Sequence, residues 1–233
     1  MTQQPTAVLL PGTGSDEVFV RSALEAPTSA LGVRLEMPAP VPGAGLAEAY
    51  LAALDRAAER GPVIAGGVSF GAHVAALWAV RNPGRCAGVL LALPAWSGAP
   101  ADAPASLAAR YSAADVRARG LPAALASAVR GVPAWLAAEL TRAWTRHGDG
   151  LADSLEAAAA YPAPELADLA ALDVPAGVAA FTDDPIHPLP VAQAWAAALP
   201  RGVLRSLRIE TMRADVESLG RAVVLAYLRS AEG

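Results

Sequence analysis

Short, almost uninterrupted apolar runs alternate along the chain with stretches that are apolar on one face only. Residues 6–11 read as a buried strand that ends at Pro11-Gly12. A helix is predicted over 16–26, with Ser15 as its cap and Asp16 and Glu17 in the first turn, where the helix dipole favours acids. Residues 33–38 form a second predicted strand, stopped by the proline stretch from Pro38 to Pro42. Leu46, Tyr50 and Leu54 recur every four residues and predict an amphipathic helix over 45–59. Residues 63–68 then read as a buried strand running into Ser69, followed by a helix over 71–82 and another apolar strand over 86–94. Continuous apolar strands separated by amphipathic helices are the pattern of a parallel sheet covered on both faces.

The rhythm changes after Trp96. From 97 to 165 no strand is evident; helical patches are broken by Pro and Gly, and Tyr111, Trp135, Trp144 and Tyr161 fall here. These aromatics suit either the wall of an apolar pocket or the packing of a small core. The strand pattern resumes over 174–181, and a helix over 189–199, a strand over 203–210 and a helix over 214–229 follow. In that last helix Val216, Leu219, Val223 and Tyr227 share a face. The predicted architecture is α/β: a mostly parallel central sheet of about six strands flanked by helices, its core formed by residues 1–96 and 166–233, with a helical cap inserted over 97–165.

Composition narrows the function classes. A length of 233 residues suits one domain with a sizeable core. A net charge of −4 and the lack of a basic cluster argue against a nucleic-acid partner. No apolar run is long enough for a membrane span, and no basic, apolar leader opens the chain, so a cytoplasmic location is expected. Cys86 is the only cysteine and the three histidines are scattered, so no metal site is expected. No cofactor is expected either, since Gly12-Thr13-Gly14 lacks the third glycine of a dinucleotide loop.

The chemistry concentrates at Gly67-Val68-Ser69-Phe70-Gly71. A strand enters this G-x-S-x-G and a helix leaves it, so the glycines permit a tight turn that exposes the Ser69 hydroxyl above the sheet. With that motif and the order of elements around it, the chain resembles the α/β-hydrolase superfamily over essentially its full length, without that family's first two strands. The resemblance implies Ser69 as nucleophile, with the backbone amides of Thr13 and Phe70 as the oxyanion hole. It also implies a catalytic acid in Phe181-Thr182-Asp183-Asp184-Pro185-Ile186-His187-Pro188: Asp184, with Asp183 as the alternative. The same Asp-Pro chemistry also suits a helix N-cap before 189.

One departure matters. The family places its base, a histidine, after the last strand, where this chain reads Ile209-Glu210-Thr211-Met212-Arg213-Ala214-Asp215. Neither a thioether nor a guanidinium accepts a proton at neutral pH. His187 is the candidate replacement, with a structural role in closing the loop as the other reading. His73, four residues after Ser69, is expected beneath the turn, and His147 is expected as a solvated cation at a helix C-terminus. The expected function is hydrolysis of an ester or thioester of a small molecule with an apolar group, through Ser69 and an atypical or incomplete triad, with weak turnover of small activated esters. The rivals are a lyase, isomerase or cyclase on the same scaffold, and a ligand-binding protein without catalysis.

Overall fold

The computed structural model describes residues 4–232. Its centre is a six-stranded, all-parallel sheet in the order β2-β1-β3-β4-β5-β6. The strands are β1 (Thr6–Leu10), β2 (Arg34–Glu36), β3 (Val63–Val68), β4 (Cys86–Ala92), β5 (Ala176–Phe181) and β6 (Gly202–Leu207). Side chains alternate across each strand, so the apolar runs feed two cores. Val8 and Leu10 of β1 face one side, with α2 (Leu46–Ala58) and α3 (Phe70–Arg81). Ala7 and Leu9 face the other, with α1 (Glu17–Ser29) and α11 (Ser218–Ala231). Burial on both faces is why these strands read as continuous rather than alternating apolar runs.

Between β4 and β5 the chain forms α4 (Pro104–Arg119), α5 (Leu121–Ala128), α6 (Ala134–His147), α7 (Leu151–Ala160) and α8 (Leu166–Ala170). Ala113, Ala124, Trp144, Leu151 and Leu155 make a small apolar cluster of their own within this helical segment. Tyr111 is exposed on its surface. Tyr161, by contrast, meets Phe70 of the sheet core edge-on, with ring centroids 5.5 Å apart.

Local chemistry shifts several predicted boundaries. Asp16, not Ser15, caps α1: its Oδ1 accepts from the amides of Val18 at 3.0 Å and Phe19 at 3.3 Å. That helix continues through Pro27 to Ser29, because Pro27 and Thr28 are buried in the core rather than exposed at a fraying end. β6 stops at Leu207 because the next amide but one, Ile209, is taken by the Asp183 carboxylate at 2.9 Å. The chain then turns into a short helix, α10 (Ile209–Ala214), and α11 begins only at Ser218. The helix after β5 is α9 (Leu189–Ala198).

Candidate active site

The G-x-S-x-G sequence forms a sharp elbow between β3 and α3, with Ser69 at φ 54° and ψ −116°. A non-glycine residue in that region carries roughly 1–3 kcal/mol of strain, which the packing around it must hold. The Ser69 amide donates to Ala92 O at 2.8 Å, and its carbonyl accepts from His73 N at 3.1 Å. The flanking glycines exist for close approach. A Cβ on Gly67 would lie 2.4 Å from Leu10 O, and one on Gly71 only 2.2 Å from the same oxygen. The Ser69 side chain sits at the C-terminal edge of the sheet, as the open end of a parallel α/β sheet requires.

The loop after β5 brings the other two groups. Nδ1 of His187 donates to Asp184 Oδ2 at 2.7 Å, and Nε2 stands 2.9 Å from Ser69 Oγ. With Nδ1 carrying the proton, Nε2 is free to accept the hydroxyl hydrogen. Asp184 Oδ1 also accepts from the Ile186 amide at 2.7 Å. Burial pushes the Asp184 carboxyl up, but the bonds from His187 and the Ile186 amide outweigh it and hold the group below its usual range. Both side chains are mostly shielded, at 16% exposure for His187 and 11% for Asp184. Pro185 fixes φ between the two residues and Pro188 fixes it just after His187, so little chain freedom remains to be lost in holding the pair.

Asp183, the alternative acid, points elsewhere. Its Oδ1 accepts from Ile209 N, and its Oδ2 meets Arg208 Nε at 3.2 Å. It therefore fastens the loop to the exit of β6. A wide-open cleft of about 690 Å³ lies on that side, lined by Asp183, Arg208, Ile209, Glu210 and Thr211; Ser69, Asp184 and His187 do not line it.

On the other side of Ser69 the turn after β1 passes close by. A Cβ on Gly12 would lie 3.4 Å from Ser69 Cβ. Thr13 follows, half-buried. Among the described residues, neither the Thr13 nor the Phe70 amide donates to another protein group outside regular helix and strand bonding. Phe70 is the first residue of α3, so its amide also lies at the positive end of the helix dipole.

The remaining histidines are both buried. His73 is 0% exposed, packed against Trp96 and Trp195, and its Nε2 accepts from Ala95 N at 2.9 Å. Burial, together with His187 nearby, pushes its pKa down to about 3. His147 ends α6 as expected but is not solvated: it is 3% exposed, and its Nε2 donates to Ser15 O at 3.0 Å. The cause is a face of α6 that meets the turn after β1. Glu139, Arg142, Arg146 and His147 recur on it at helical spacing. That spacing is visible in the sequence, but nothing there says which surface the face meets.

No protein-family model matches the sequence, and no curated protein matches it. Solved structures do. A carboxylesterase of Nitrososphaera gargenis superposes with a TM-score of 0.76 at 12% identity, covering 99% of this chain and 93% of that one. A thermophilic esterase from Thermogutta terrifontis gives 0.71 at 18% identity, covering 99% and 92%. An enol-lactonase from Burkholderia xenovorans gives 0.65 at 19% identity, covering 97% and 91%. These are α/β-hydrolase structures, and this chain has the α/β-hydrolase fold.

Proposed function

We propose that the chain is a serine hydrolase of carboxylic esters or thioesters, with Ser69, His187 and Asp184 as its catalytic triad. The observation that carries this reading is His187, which contacts Asp184 through one ring nitrogen and Ser69 Oγ through the other. An imidazole so held has the tautomer and direction that a general base needs. Ser69 Oγ attacks the acyl carbon while its proton passes to His187 Nε2. The carbonyl oxygen becomes an oxyanion, held by the amides of Thr13 and Phe70. Collapse expels the alkoxide or thiolate, which takes the proton from Nε2. Water, deprotonated by the same nitrogen, then releases the acid and restores Ser69.

The likeness to an esterase, a carboxylesterase and an enol-lactonase supports carboxylic ester chemistry. A base within reach of Ser69 also removes the reason for expecting weak turnover. The substrate class in this reading stays a small molecule with an apolar group, although Trp144 and Tyr161 of the helical segment pack within the protein, Trp144 in the segment's own cluster and Tyr161 on Phe70. The test is a fluorophosphonate probe with p-nitrophenyl esters as substrates. Stoichiometric labelling at Ser69 and ester turnover, both lost in Ser69→Ala, are expected. A wild type that neither labels nor turns over any ester or thioester would sink the proposal.

A further inference from the structure

Helix α6 lays one face along the turn that leaves β1. Arg142 grips Asp16 twice, Nε to Oδ2 at 3.0 Å and Nη2 to Oδ1 at 2.8 Å, and pairs with Glu139 on its own helix. Arg146 adds a bond to Asp16 Oδ2 at 3.0 Å and one to Glu17 Oε1 at 2.7 Å. Ser15 Oγ donates to Glu139 Oε1 at 3.1 Å, and Ser15 O accepts from His147. The indole of Trp144 closes the contact: a Cβ on Gly14 would lie 3.0 Å from its Nε1.

This is a built link rather than a surface ion pair. The Asp16 side chain is 0% exposed and caps α1 at the same time. Burial alone raises its carboxyl, but the bonds from Arg142 and from the Phe19 and Val18 amides pull it below its usual range, so it is held as a carboxylate. Exposed pairs are screened and contribute little; a buried carboxylate that loses its partners is strongly penalised.

What the link grips is the turn that carries Thr13. Gly12 and Gly14 flank that residue, and Gly14 sits at φ +64°, so the backbone there is pliable by itself. Within the turn a single bond, Ser15 N to Gly12 O at 3.2 Å, ties it together. An oxyanion donor works only when held within tenths of an ångström of its place. We infer that α6 is a clamp on this turn, with Arg142 a positioning residue that acts through Asp16 on the Thr13 amide. The inference rests on the Ser69 reading above and adds to it that the helical segment shapes the oxyanion hole.

The full chain is compared as wild type, Arg142→Met, Arg142→Lys and Ser15→Ala. The readouts are amide hydrogen exchange over residues 12–19, and kcat and KM on p-nitrophenyl butyrate. Arg142→Met speeds exchange at positions 15, 18 and 19, whose amides bond Gly12 O and Asp16 Oδ1, and lowers kcat about tenfold or more, with KM within about twofold, because the lost interaction acts in the transition state. Arg142→Lys recovers part of the loss, since it keeps the charge but not the fork. Ser15→Ala moves both readouts the same way by less. Unchanged exchange at positions 15, 18 and 19 overturns the clamp, and faster exchange with unchanged kcat overturns the positioning role. If Arg142→Met fails to fold, Ser15→Ala carries both readouts, because Glu139 keeps its pair with Arg142. A wild type inert to esters and fluorophosphonate defeats the Ser69 reading instead, and the exchange data still decide whether α6 holds the turn.

Discussion

Nε2 of His187 stands 2.9 Å from Oγ of Ser69, although 118 residues separate them in the chain. The imidazole arrives from the same loop as its carboxylate partner, Asp184, rather than from the segment after the last strand. That segment is α10, where Met212 is buried and Arg213 is exposed and paired with Glu210.

His187→Ala is expected to lower kcat by about a hundredfold or more with the fold unchanged, since general-base assistance is typically worth 10²–10⁴. Circular dichroism controls for the fold. Normal turnover in the variant removes His187 from the mechanism.

Ser69→Ala should abolish acyl transfer and leave stability equal or slightly higher, because the strain at φ 54° stays while the half-buried hydroxyl is not a packing element. Equal esterase rates in purified wild type and variant would show that the nucleophile lies elsewhere.

Asp184 is held below its usual range, so it stays a carboxylate when the medium turns mildly acidic. An acid-side loss of kcat/KM is therefore not set by this carboxyl. Asp184→Asn should lower kcat strongly at neutral pH, since the neutral amide no longer favours the tautomer or stabilises the imidazolium. A variant with wild-type kcat across the profile speaks against the triad.

His73 makes the fold acid-sensitive. Its pKa is about 3 in the native protein, against an ordinary value of roughly 6.5 in the unfolded chain. Between those values the unfolded state binds a proton that the native state does not. Stability is therefore full above roughly pH 6.5 and falls as the pH drops, by up to about 1.4 kcal/mol per unit. His73→Gln keeps an acceptor for the Ala95 amide and should flatten this slope between pH 7 and 5 in urea titrations; parallel slopes would refute the assignment.

Gly71→Val should fail to give a stable protein, because its Cβ would meet backbone oxygens of Leu10 and Pro11 at 2.2 and 2.7 Å. A loss of about 3 kcal/mol or more is expected from such overpacking. A soluble variant with an unchanged denaturation midpoint contradicts the elbow geometry.

The apolar runs at 6–11, 63–68, 86–94 and 174–181 announce the parallel sheet because a strand buried on both faces has no polar positions to interrupt it. Gly67 and Gly71 announce the elbow for a similarly local reason: the turn needs them within five consecutive residues. Asp184 and His187 are readable as a pair, since a spacing of three residues with Pro185 between them leaves them few ways to avoid each other. Which histidine reaches Ser69 is not local. It depends on β5 lying beside β4, and β4 beside β3, so that the loop after β5 opens over the end of β3. The same holds for Asp183, which as a bare sequence position rivals Asp184, and is drawn away only because β6 pairs with β5 and offers the Ile209 amide. His147, which shares a face of α6 with Arg142, goes furthest from its expectation, that of a solvated cation at a helix end. Their spacing defines a face, but spacing carries no information about the surface a face meets, and packing alone sets α6 against the turn after β1.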